Sequence, residues 1–363
     1  MNYLLKNIGC YCAGHMYFIF QMVILLFITS GHGNVCAQSV DPIPVITKLD
    51  LESIPKHKLT KSWFKVGVDA FSHPVLVPLL ILRGTSDTPI LGMTAAIHGN
   101  ELNGIPIIQR IFNQIDPSTL KGTLIGIPGI NPESMQMNER RFTDGEDLNR
   151  VFPGKNDGSE SEQRAHTLLH DLIGHMDISI DMHTASFGRE NSFYVRADMQ
   201  DDTLGQLANL QFADILVDNA GKPSFGGSSG LTSRAAAIAQ GVKTITIELG
   251  NPQVYQSAMI ERGIKGVLNA MKWLKMIPGE IQRSDVGVLC KSSSWIYTDT
   301  GGFLEVEVQL AEKIKKGQTI AILKNAFGDV IKYYYAPTDG VVIGRSSNPI
   351  SPQGARIIHL GIY

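Results

Sequence analysis

The chain has 363 residues, which is long enough for one large domain and a small one. Hydrophobic residues make up 43% of it and charged residues 18%, so we expect a packed core and not a disordered chain. Its 32 basic and 34 acidic residues give a net charge of −2, which leaves no basic footprint for nucleic acid, and none is expected as a partner.

Residues 1–37 have the pattern of a secretory signal peptide. Lys6 gives a positive start, and a 13-residue apolar core, FIFQMVILLFITS, is followed by a polar stretch and small residues before Gln38. The pattern predicts cleavage after Ala37 and export to the periplasm or outside the cell, with no stable membrane insertion afterwards. Two alternatives fit less well: the apolar run is short for a membrane anchor, and GNVC lacks the residues expected before a lipoprotein cysteine.

Cys290 is the one cysteine of four that lies outside this segment, since Cys10, Cys12 and Cys36 lie within it. No internal disulfide is therefore expected in the mature chain. The surrounding sequence offers Cys290 no histidine or acidic partner, so we interpret it as a packed small residue and not as a nucleophile.

Strand and helix patterns alternate from residue 65 to residue 283, after an N-terminal extension at 38–64. The strand patterns are PVLVPLLILRG (a strand pair or one long strand), TPILGMTAAI, GTLIGIPGINP, DISIDMHT and VKTITIEL. The helix patterns are GIPIIQRIFNQI, SEQRAHTLLHDLIGHM with Ser159 or Ser161 as its N-cap, LGQLANLQFADIL and SAMIERGIKGVLNAMKWLKM. This alternation predicts an α/β domain whose mostly parallel or mixed sheet is flanked by helices.

Residues 284–363 have short strand patterns and glycine turns without a convincing helix. A weak internal repeat aligns 302–323 with 340–361: in each copy a glycine opens a strand, and a second glycine follows about 15 residues later, before an apolar pair. The pattern resembles the barrel-sandwich fold of biotinyl and lipoyl carrier domains. The hairpin tip LKNAFGDV has no lysine between methionines to carry a cofactor, so we expect a small all-β domain with a structural or lid role.

His98 and Glu101 follow the first buried strand pattern, ILGMTAAI, in the sequence HGNELNG. They fall at the carboxyl end of a strand, where α/β folds keep their ligand sites. The His-x-x-Glu spacing can aim an imidazole and a carboxylate at one point. Alone the pair is weak evidence, because a histidine in a surface turn is the commoner outcome.

A second apolar strand pattern ends in Asp181 and His183, within SIDMHTA. A hydrolytic zinc site takes three protein ligands and leaves one position for water. Two histidines and one carboxylate satisfy that count, and suit zinc without excluding other metals. Asp181 is either a partner that orients His183 or simply a carboxylate at a strand end.

A third strand pattern, KTITIELG, ends in Glu248. A glutamate that interrupts an apolar strand end is costly unless it is used or paired. Beside a metal-activated water it would be the general base, and then the acid that protonates the leaving amine. A salt-bridged glutamate at a strand end is the alternative.

Residues 138–154, NERRFTDGEDLNRVFPG, form a polar segment without periodicity. Such a loop is usually solvated surface. An Asn-Arg pair with a further arginine nearby is also what a site needs to hold a carboxylate and to polarise a scissile carbonyl. The candidates are Arg140, Arg141, Asn149 and Arg150.

Together these motifs resemble the succinylglutamate desuccinylase/aspartoacylase family, a branch of the zinc carboxypeptidase superfamily. The resemblance spans about 65–361, and the order and spacing of the motifs are more specific than any one of them. It is carried by HGNELNG, RRFTDGEDLNRVFPG, DMHTA, TSRAAAIAQGVKTITIELG and the β-rich C-terminal part.

The resemblance implies a zinc carboxypeptidase-like fold that binds one zinc ion per chain. It implies that the zinc ligands are His98, Glu101 and His183 and that Glu248 is the catalytic acid/base. Arg150 is implied to lie near the scissile carbonyl and to take part in catalysis. Asn149 and Arg150 are both implied to contact the substrate. Two further arginines match substrate-binding arginines of the family: Arg141 and Arg234. The loop that carries Arg141 and the stretch from Arg234 to Glu248 are both longer here than in the family pattern.

Three functions are compatible with this sequence. The first is an exported zinc hydrolase that cleaves the amide bond of an N-acyl amino acid. The second keeps the chemistry but acts on short peptides, as a metallocarboxypeptidase or a murein-peptide amidase does; the predicted export signal brings the protein to such substrates. The third, a non-catalytic zinc- or ligand-binding protein, leaves Glu248 without a purpose. The sequence does not indicate an oligomeric state.

Overall fold

The computed structural model describes residues 42–221, 230–282 and 287–363. The predicted signal peptide at 1–37 lies outside the described residues, so export stays a prediction. None of the described helices has both the length and the apolar character needed to cross a membrane. We number the elements of the described residues in chain order.

The helices and strands alternate through the first two thirds of the chain, and strands alone follow. The helices are α1 (Gly104–Gln114), α2 (Pro132–Met137), α3 (Glu160–Asp171), α4 (Asp202–Asn209), α5 (Ser233–Ala239) and α6 (Ser257–Trp273). The strands are β1 (Val45–Ile46), β2 (Lys58–Val68), β3 (Pro74–Arg83), β4 (Ile90–Ala95), β5 (Thr123–Ile127), β6 (Ile178–His183), β7 (Arg189–Asn191), β8 (Phe193–Ala197), β9 (Ile215–Asp218), β10 (Lys243–Leu249), β11 (Val288–Cys290), β12 (Ser292–Tyr297), β13 (Gly302–Val306), β14 (Lys313–Ile314), β15 (Thr319–Lys324), β16 (Val330–Tyr335), β17 (Gly340–Ser346), β18 (Ile350–Ser351) and β19 (Arg356–Ile362).

One ten-stranded sheet forms the centre of the molecule, in the order β1-β2-β3-β5-β4-β6-β10-β8-β9-β11. Strands β5, β4, β6 and β10 run parallel, whereas β2, β3 and β8 pair antiparallel with neighbours. The parallel strands are nearly continuous apolar runs because helices cover both faces of the sheet. The predicted α/β domain with a mixed sheet flanked by helices is therefore confirmed.

Two buried apolar layers hold the helices to the sheet. Helices α1, α4 and α6 pack on one face through side chains such as Ile107, Leu207 and Val267. Helices α3 and α5 pack on the other face, where Leu168 and Ala237 lie in the second layer. Both layers exclude water completely at these positions, since all five residues have an exposed fraction of 0%.

The sequence patterns predicted most of these elements but missed several. Helix α3 begins after Ser159, whose side chain and that of Glu162 make the reciprocal bonds of a capping box. The helix predicted over 204–216 was wrong at its end, because α4 stops at Asn209 and strand β9 starts at Ile215. Strands β7 and β8 and the short helices α2 and α5 were not predicted; each is too brief for a strong periodic signal.

The C-terminal strands form two antiparallel sheets and, among the described residues from 287 onward, no helix. One sheet has the order β12-β19-β17-β14, and the other β16-β15-β13-β18. The internal repeat maps onto them as two hairpins, β13 with β15 and β17 with β19. The short strand inside each copy pairs with the first strand of the other copy. The additional β part is thus confirmed, whereas the strand pairings of 287–363 do not close a barrel and the barrel-sandwich form is not established.

The two parts of the chain share strands at their junction. Strand β7, which follows β6 directly, pairs with β17 of the C-terminal part. Strand β11 lies beyond the predicted boundary at residue 284 but extends the large sheet by pairing with β9. The C-terminal sheets are therefore held against the edge where β6 and β10 end.

The close fit of α1 on the sheet generates a stability prediction. A Cβ atom added to Gly104 would lie 2.6 Å from Met182 Cβ and 2.8 Å from Ala95 Cβ, so Gly104→Ala must push α1 away from β4 and β6. We expect the free energy of unfolding to fall by about 1–3 kcal/mol, measured by urea denaturation. Gly205→Ala is the control, since the nearest atom lies 3.4 Å away; it should leave stability unchanged or raise it by up to about 1 kcal/mol. An unchanged midpoint for G104A would contradict the argument.

Candidate active site

The segment after β4 is fixed by hydrogen bonds that aim His98 and Glu101 at one point. Ala96 takes a left-handed conformation with a φ of 60°, which turns the chain out of the strand. The Asn131 side chain then donates to the Ile97 carbonyl over 2.8 Å. The Asn103 side chain donates to the Leu249 carbonyl over 2.7 Å and joins the segment to the end of β10.

His183 and Glu248 come from neighbouring parallel strands at the same edge of the sheet. His183 is the last residue of β6, and Glu248 stands opposite it in the register of β10. Both strands end there, so their side chains face the segment that carries His98 and Glu101. The parallel register therefore brings together residues that are 65 and more positions apart in sequence.

Three potential metal ligands converge in a buried cluster. One ligand atom each of His98, Glu101 and His183 lies within 4.8 Å of the others. Glu101 stands between the two imidazoles: Oε1 is 2.9 Å from His98 Nδ1, and Oε2 is 2.8 Å from His183 Nδ1. All three side chains have exposed fractions of 5% or less. The distance between any two of these atoms is short enough for one ion to touch all three.

A second carboxylate lies on the far side of each imidazole. Asp147 Oδ1 is 3.0 Å from His98 Nε2, and Asp181 Oδ2 is 3.0 Å from His183 Nε2. Thr94 Oγ1 in turn donates to Asp181 Oδ1 over 2.8 Å. When each Nε2–H donates outward to its aspartate, the Nδ1 lone pairs face the cluster centre, as a metal ligand requires. Of the two interpretations of Asp181, the geometry supports the one that orients His183.

The cluster has the electrostatics of a cation site. Burial alone would raise the pKa of Glu101, but the positive charge and hydrogen bonds of His98 and His183 hold that pKa well below its usual value. Burial would lower the pKa of His183, yet Asp181 and Glu101 raise it well above the ordinary imidazole value. Buried carboxylates in this arrangement need positive charge close by. The donor set of two imidazoles and one carboxylate fits a metal such as zinc, which would supply that charge.

Arg140 lies against this cluster. Its Nη1 is 3.2 Å from His98 Nδ1 and donates to Glu101 Oε1 over 3.1 Å, while Nη2 donates to Asp147 Oδ2 over 2.7 Å. Ser186 Oγ also donates to Glu101 Oε1, over 2.6 Å. The guanidinium thus pairs with two carboxylates but its single charge balances only one of them, so the cluster still lacks positive charge.

Glu248 is half-buried and has a different environment. Burial raises its pKa, the charge of Glu101 adds to that rise, and the positive charges of His183 and Arg196 oppose it. Asn191 Nδ2 donates to Glu248 Oε2 over 3.1 Å, and Tyr194 stands opposite Glu248 in the antiparallel register of β8 and β10. The Tyr194 hydroxyl accepts from Arg196 Nη2 over 3.0 Å. A carboxyl group with a raised pKa is suited to take up a proton and release it again.

The structure places the remaining predicted residues around one cavity of about 1090 Å³, which is lined by His98, Glu101 and Glu248 as well. Asn149 is buried, and its Oδ1 accepts from the Ser233 amide over 2.7 Å, so it also supports the start of α5. Arg150 is exposed to the cavity, with Nη1 bonded to the Asn149 carbonyl. Asn149 and Arg150 both line the cavity.

Arg141 and Arg234, the other two arginines that the resemblance implied as substrate-binding, lie in different environments. Arg234 is buried, and its guanidinium donates to the Asn219 carbonyl and side chain over 2.9 and 2.6 Å. Burial and the nearby charge of Arg196 lower its pKa to about 10. Arg141 lies at the exposed rim and donates to the Gly145 carbonyl, whereas its neighbour Arg140 reaches the metal-ligand cluster. The two adjacent arginines point apart, which a sequence without strand or helix periodicity does not reveal.

Several residues of the site escaped the sequence analysis. Asp147 is the acidic residue of DLNR, but nothing in the sequence indicates that it contacts His98. Asn191, Tyr194 and Arg196 lie on strands β7 and β8, which the patterns did not predict. Side chains of the C-terminal part also line the cavity, and no spacing rule could have assigned them: Ser293, Trp295, Arg356 and His359.

The contact between Asp181 and His183 generates a prediction about metal affinity. Asp181→Asn keeps the shape of the side chain but removes the charge that orients the imidazole. We expect the affinity for Zn²⁺, measured by equilibrium dialysis, to fall about 10- to 100-fold. Asp177→Asn is the matched control, because Asp177 lies just before the start of β6, away from the cluster. Its Oδ2 accepts from the Ile90 amide. Equal affinities in D181N and D177N would show that Asp181 does not support the site.

Two sequence relatives match this chain over different shares of its length. An N-alpha-acetyl-L-2,4-diaminobutyric acid deacetylase of Halomonas elongata is 25% identical over 84% of this chain and 91% of its own length. A succinylglutamate desuccinylase of Pseudomonas aeruginosa is 28% identical over 47% of this chain. The chain spans about half, 54%, of the length of that desuccinylase.

Solved structures have the same fold. The product-bound ectoine utilization protein EutE (DoeB) of Ruegeria pomeroyi matches with a TM-score of 0.74 and 21% identity, over 86% of this chain and 98% of its own. A succinylglutamate desuccinylase of Silicibacter sp. TM1040 matches with a TM-score of 0.75 and 20% identity, over 85% of this chain and 97% of its own.

The family model of the succinylglutamate desuccinylase/aspartoacylase catalytic domain matches residues 87–274, just over half of the chain. The matched segment contains the three metal-ligand candidates, Glu248 and the polar loop at 138–154. The chain therefore belongs to the succinylglutamate desuccinylase/aspartoacylase family.

Proposed function

We propose that the protein is a zinc-dependent hydrolase that cleaves the amide bond of an N-acyl amino acid. The observation that carries the proposal is a half-buried glutamate on the cavity, Glu248, directly across the sheet register from His183 of the three-ligand cluster. A metal-binding protein without catalysis has no need for a further carboxyl group at this place. The relatives named as a deacetylase and a desuccinylase support the same bond type.

His98, Glu101 and His183 would hold one zinc ion per chain. When bound, zinc supplies Lewis-acid chemistry, which polarises a carbonyl and activates water for attack. Asp147 and Asp181 keep the two imidazoles in the tautomer that directs Nδ1 inward. The chain therefore supplies both the ligands and the groups that orient them.

Glu248 would move the proton. Its carboxylate takes a proton from the attacking water and gives it to the nitrogen of the leaving amino acid, so that one carboxylate and one amine are released. Asn191 Nδ2 donates to Oε2 over 3.1 Å and holds the carboxylate in place on the cavity. The raised pKa of Glu248 makes the carboxyl a better base than an exposed glutamate, and thus matches it to both steps.

The arginines of the cavity would bind the substrate. Arg150, exposed to the cavity and placed beside Asn149, is suited to polarise the scissile carbonyl. Arg234 faces the same cavity from α5 and is suited to pair with the carboxylate of the amino acid. Arg141 at the rim remains a candidate for an outer contact.

A second candidate substrate class is short peptides, as for a carboxypeptidase or a murein-peptide amidase. A cavity of about 1090 Å³ exceeds the volume that an acetylated amino acid fills, and the predicted export signal would bring the enzyme to wall fragments. Release of amino acids from N-acetyl and N-succinyl amino acids, compared with release from short peptides, separates the two classes.

Glu248→Gln tests the proposed chemistry, because the amide keeps the Asn191 contact but cannot accept a proton. With the mature chain from Gln38 loaded with zinc, we expect kcat to fall about 10²- to 10⁴-fold while bound zinc, measured by mass spectrometry of the metal, is retained. Glu261→Gln is the control, since Glu261 forms an exposed ion pair with Arg110. Turnover of E248Q at the native rate would refute the role of Glu248.

The charge of Arg196 predicts a shift in the pH profile. Arg196 lowers the pKa of Glu248, so Arg196→Gln should raise it further. The base form of Glu248 is then lost at a higher pH, and the acid limb of the kcat/KM profile should move to higher pH. Arg110→Gln, which removes an exposed cation, should leave the limb in place. A limb that moves to lower pH in R196Q, or not at all, would contradict this electrostatic assignment.

A further inference from the structure

Two histidines on the outward side of α3 take no part in the reaction proposed above. His166 and His170 are four residues apart, so their side chains project from the same face of the helix. His170 is exposed and His166 is half-buried. Their ring centroids lie 4.3 Å apart, with an angle of 47° between the ring planes. Solvent therefore reaches a pair of imidazoles that stand side by side.

The helix that carries the pair is held firmly in place. It begins with the capping box of Ser159 and Glu162, which fixes its first turn. On its inner face Ala165, Leu168 and Leu169 are fully buried in the apolar layer that packs against the sheet. The backbones of the two histidines are therefore fixed relative to each other, and a shared ligand would restrict only the rotation of the side chains.

A glutamine from a neighbouring helix contacts one of the two rings. The side-chain amide of Gln240, the residue directly after α5, lies 3.1 Å from His170 Nδ1. A rotation of this amide by 180° exchanges its nitrogen and oxygen, so Gln240 can accept a hydrogen bond from Nδ1–H. The lone pair of His170 is then on Nε2. Metal-bound histidines use an outer partner in the same way to direct one nitrogen at the ion.

The charges of α3 favour a cation beside the pair. Its one arginine, Arg164, is 4% exposed and is bound to Glu133 over 2.6 Å. Two carboxylates flank the pair in sequence, Glu162 one turn before it and Asp171 directly after it. Glu162 is also 3.4 Å from Lys155. Across α3, which the structure describes in full, no unpaired lysine or arginine would repel a metal ion.

Two imidazoles one helical turn apart are ligands for transition-metal ions. Imidazole nitrogen suits Zn²⁺, Cu²⁺ and Ni²⁺, whereas Mg²⁺ and Ca²⁺ take oxygen ligands. Histidines with this four-residue spacing on a helix bind one zinc ion between them in other proteins. Two protein ligands leave at least two positions for water, so we expect weaker binding here than at the three-ligand cluster of the active site.

We propose that His166 and His170 form a second transition-metal site, accessible to solvent and separate from the active-site cluster. It takes Zn²⁺ or Cu²⁺ through one nitrogen of each ring, with water in the remaining positions. The site does not depend on the proposed function, because neither histidine is among the residues that line the active-site cavity. A bound ion also joins the end of α3 to the end of α5 through Gln240, so its binding should stabilise the folded chain.

Equilibrium dialysis of the chain from Gln38 against increasing Zn²⁺ at neutral pH tests the site. We expect a second zinc equivalent that binds at least about tenfold more weakly than the first. His166→Ala and His170→Ala should each weaken that second equivalent at least about tenfold and leave the first unchanged, since even the loss of a partner that orients a ligand costs about 10- to 100-fold. An excess of Mg²⁺ should not displace the second ion.

His175→Ala is the matched control, because it removes an exposed imidazole from the short segment after α3. It should leave both equivalents in place. No second equivalent in the native chain, or one that H175A weakens as much as H170A does, would overturn the site. A missing first equivalent with the second retained would count against the proposed zinc chemistry of the active site alone.

Two further measurements show whether both rings bind one ion. The electron paramagnetic resonance spectrum of Cu²⁺ bound at the weaker site should contain the signature of two imidazole nitrogens, reduced to one in H166A or H170A. Excess Zn²⁺ should raise the Tm of the native chain more than that of H170A. A one-nitrogen spectrum in the native chain, or equal Tm shifts in the two proteins, would contradict a shared ion.

Discussion

A buried row of alternating carboxylates and imidazoles is the constraint on which the site depends. Asp147, His98, Glu101, His183 and Asp181 follow one another at distances of 2.8–3.0 Å. Three carboxylates against two imidazoles leave the row short of positive charge, and burying unpaired charge is expensive. Arg140 supplies part of that charge from the polar loop. A divalent metal held at the Nδ1 atoms would supply more of it than protons do, which makes this row a candidate metal centre.

The fold keeps this row rigid by building it from strand ends. Strand β6 carries Asp181 and His183 two residues apart on one side, and β10 sets Glu248 beside His183 in register. The segment after β4 is tied to Ile97 and Leu249 by the side chains of Asn131 and Asn103. Chemistry that tolerates little displacement therefore comes from the parallel centre of the sheet, where both faces are packed by helices.

Another part of the cavity wall comes from the C-terminal strands. There β7 pairs with β17, and β12 and β19 place Trp295 and His359 on the cavity. This junction combines residues from the two parts of the chain, so its composition can change without altering the metal ligands.

The sequence by itself determined the elements and residues whose signals are local. Continuous apolar runs predicted the parallel strands, helical spacing predicted α1, α3 and α6, and polar residues at three strand ends predicted His98, Glu101, His183 and Glu248. The repeat in the C-terminal part likewise predicted a small all-β part with two related copies. These signals are readable because burial on both faces, or on one stripe of a helix, requires a specific order of side chains.

Only the tertiary structure decided which of these side chains meet. The sequence could not tell that Arg140 and not Arg141 reaches the ligand cluster, that Asp147 is bonded to His98, or that α4 ends before β9. Nor could it bring Arg189 and Arg356 onto one tryptophan, because that contact joins strands 167 residues apart. The order of hydrophobic residues specifies which face of a helix or strand is buried. The partners of a polar side chain depend instead on strand register and loop closure, which form only when the whole chain packs.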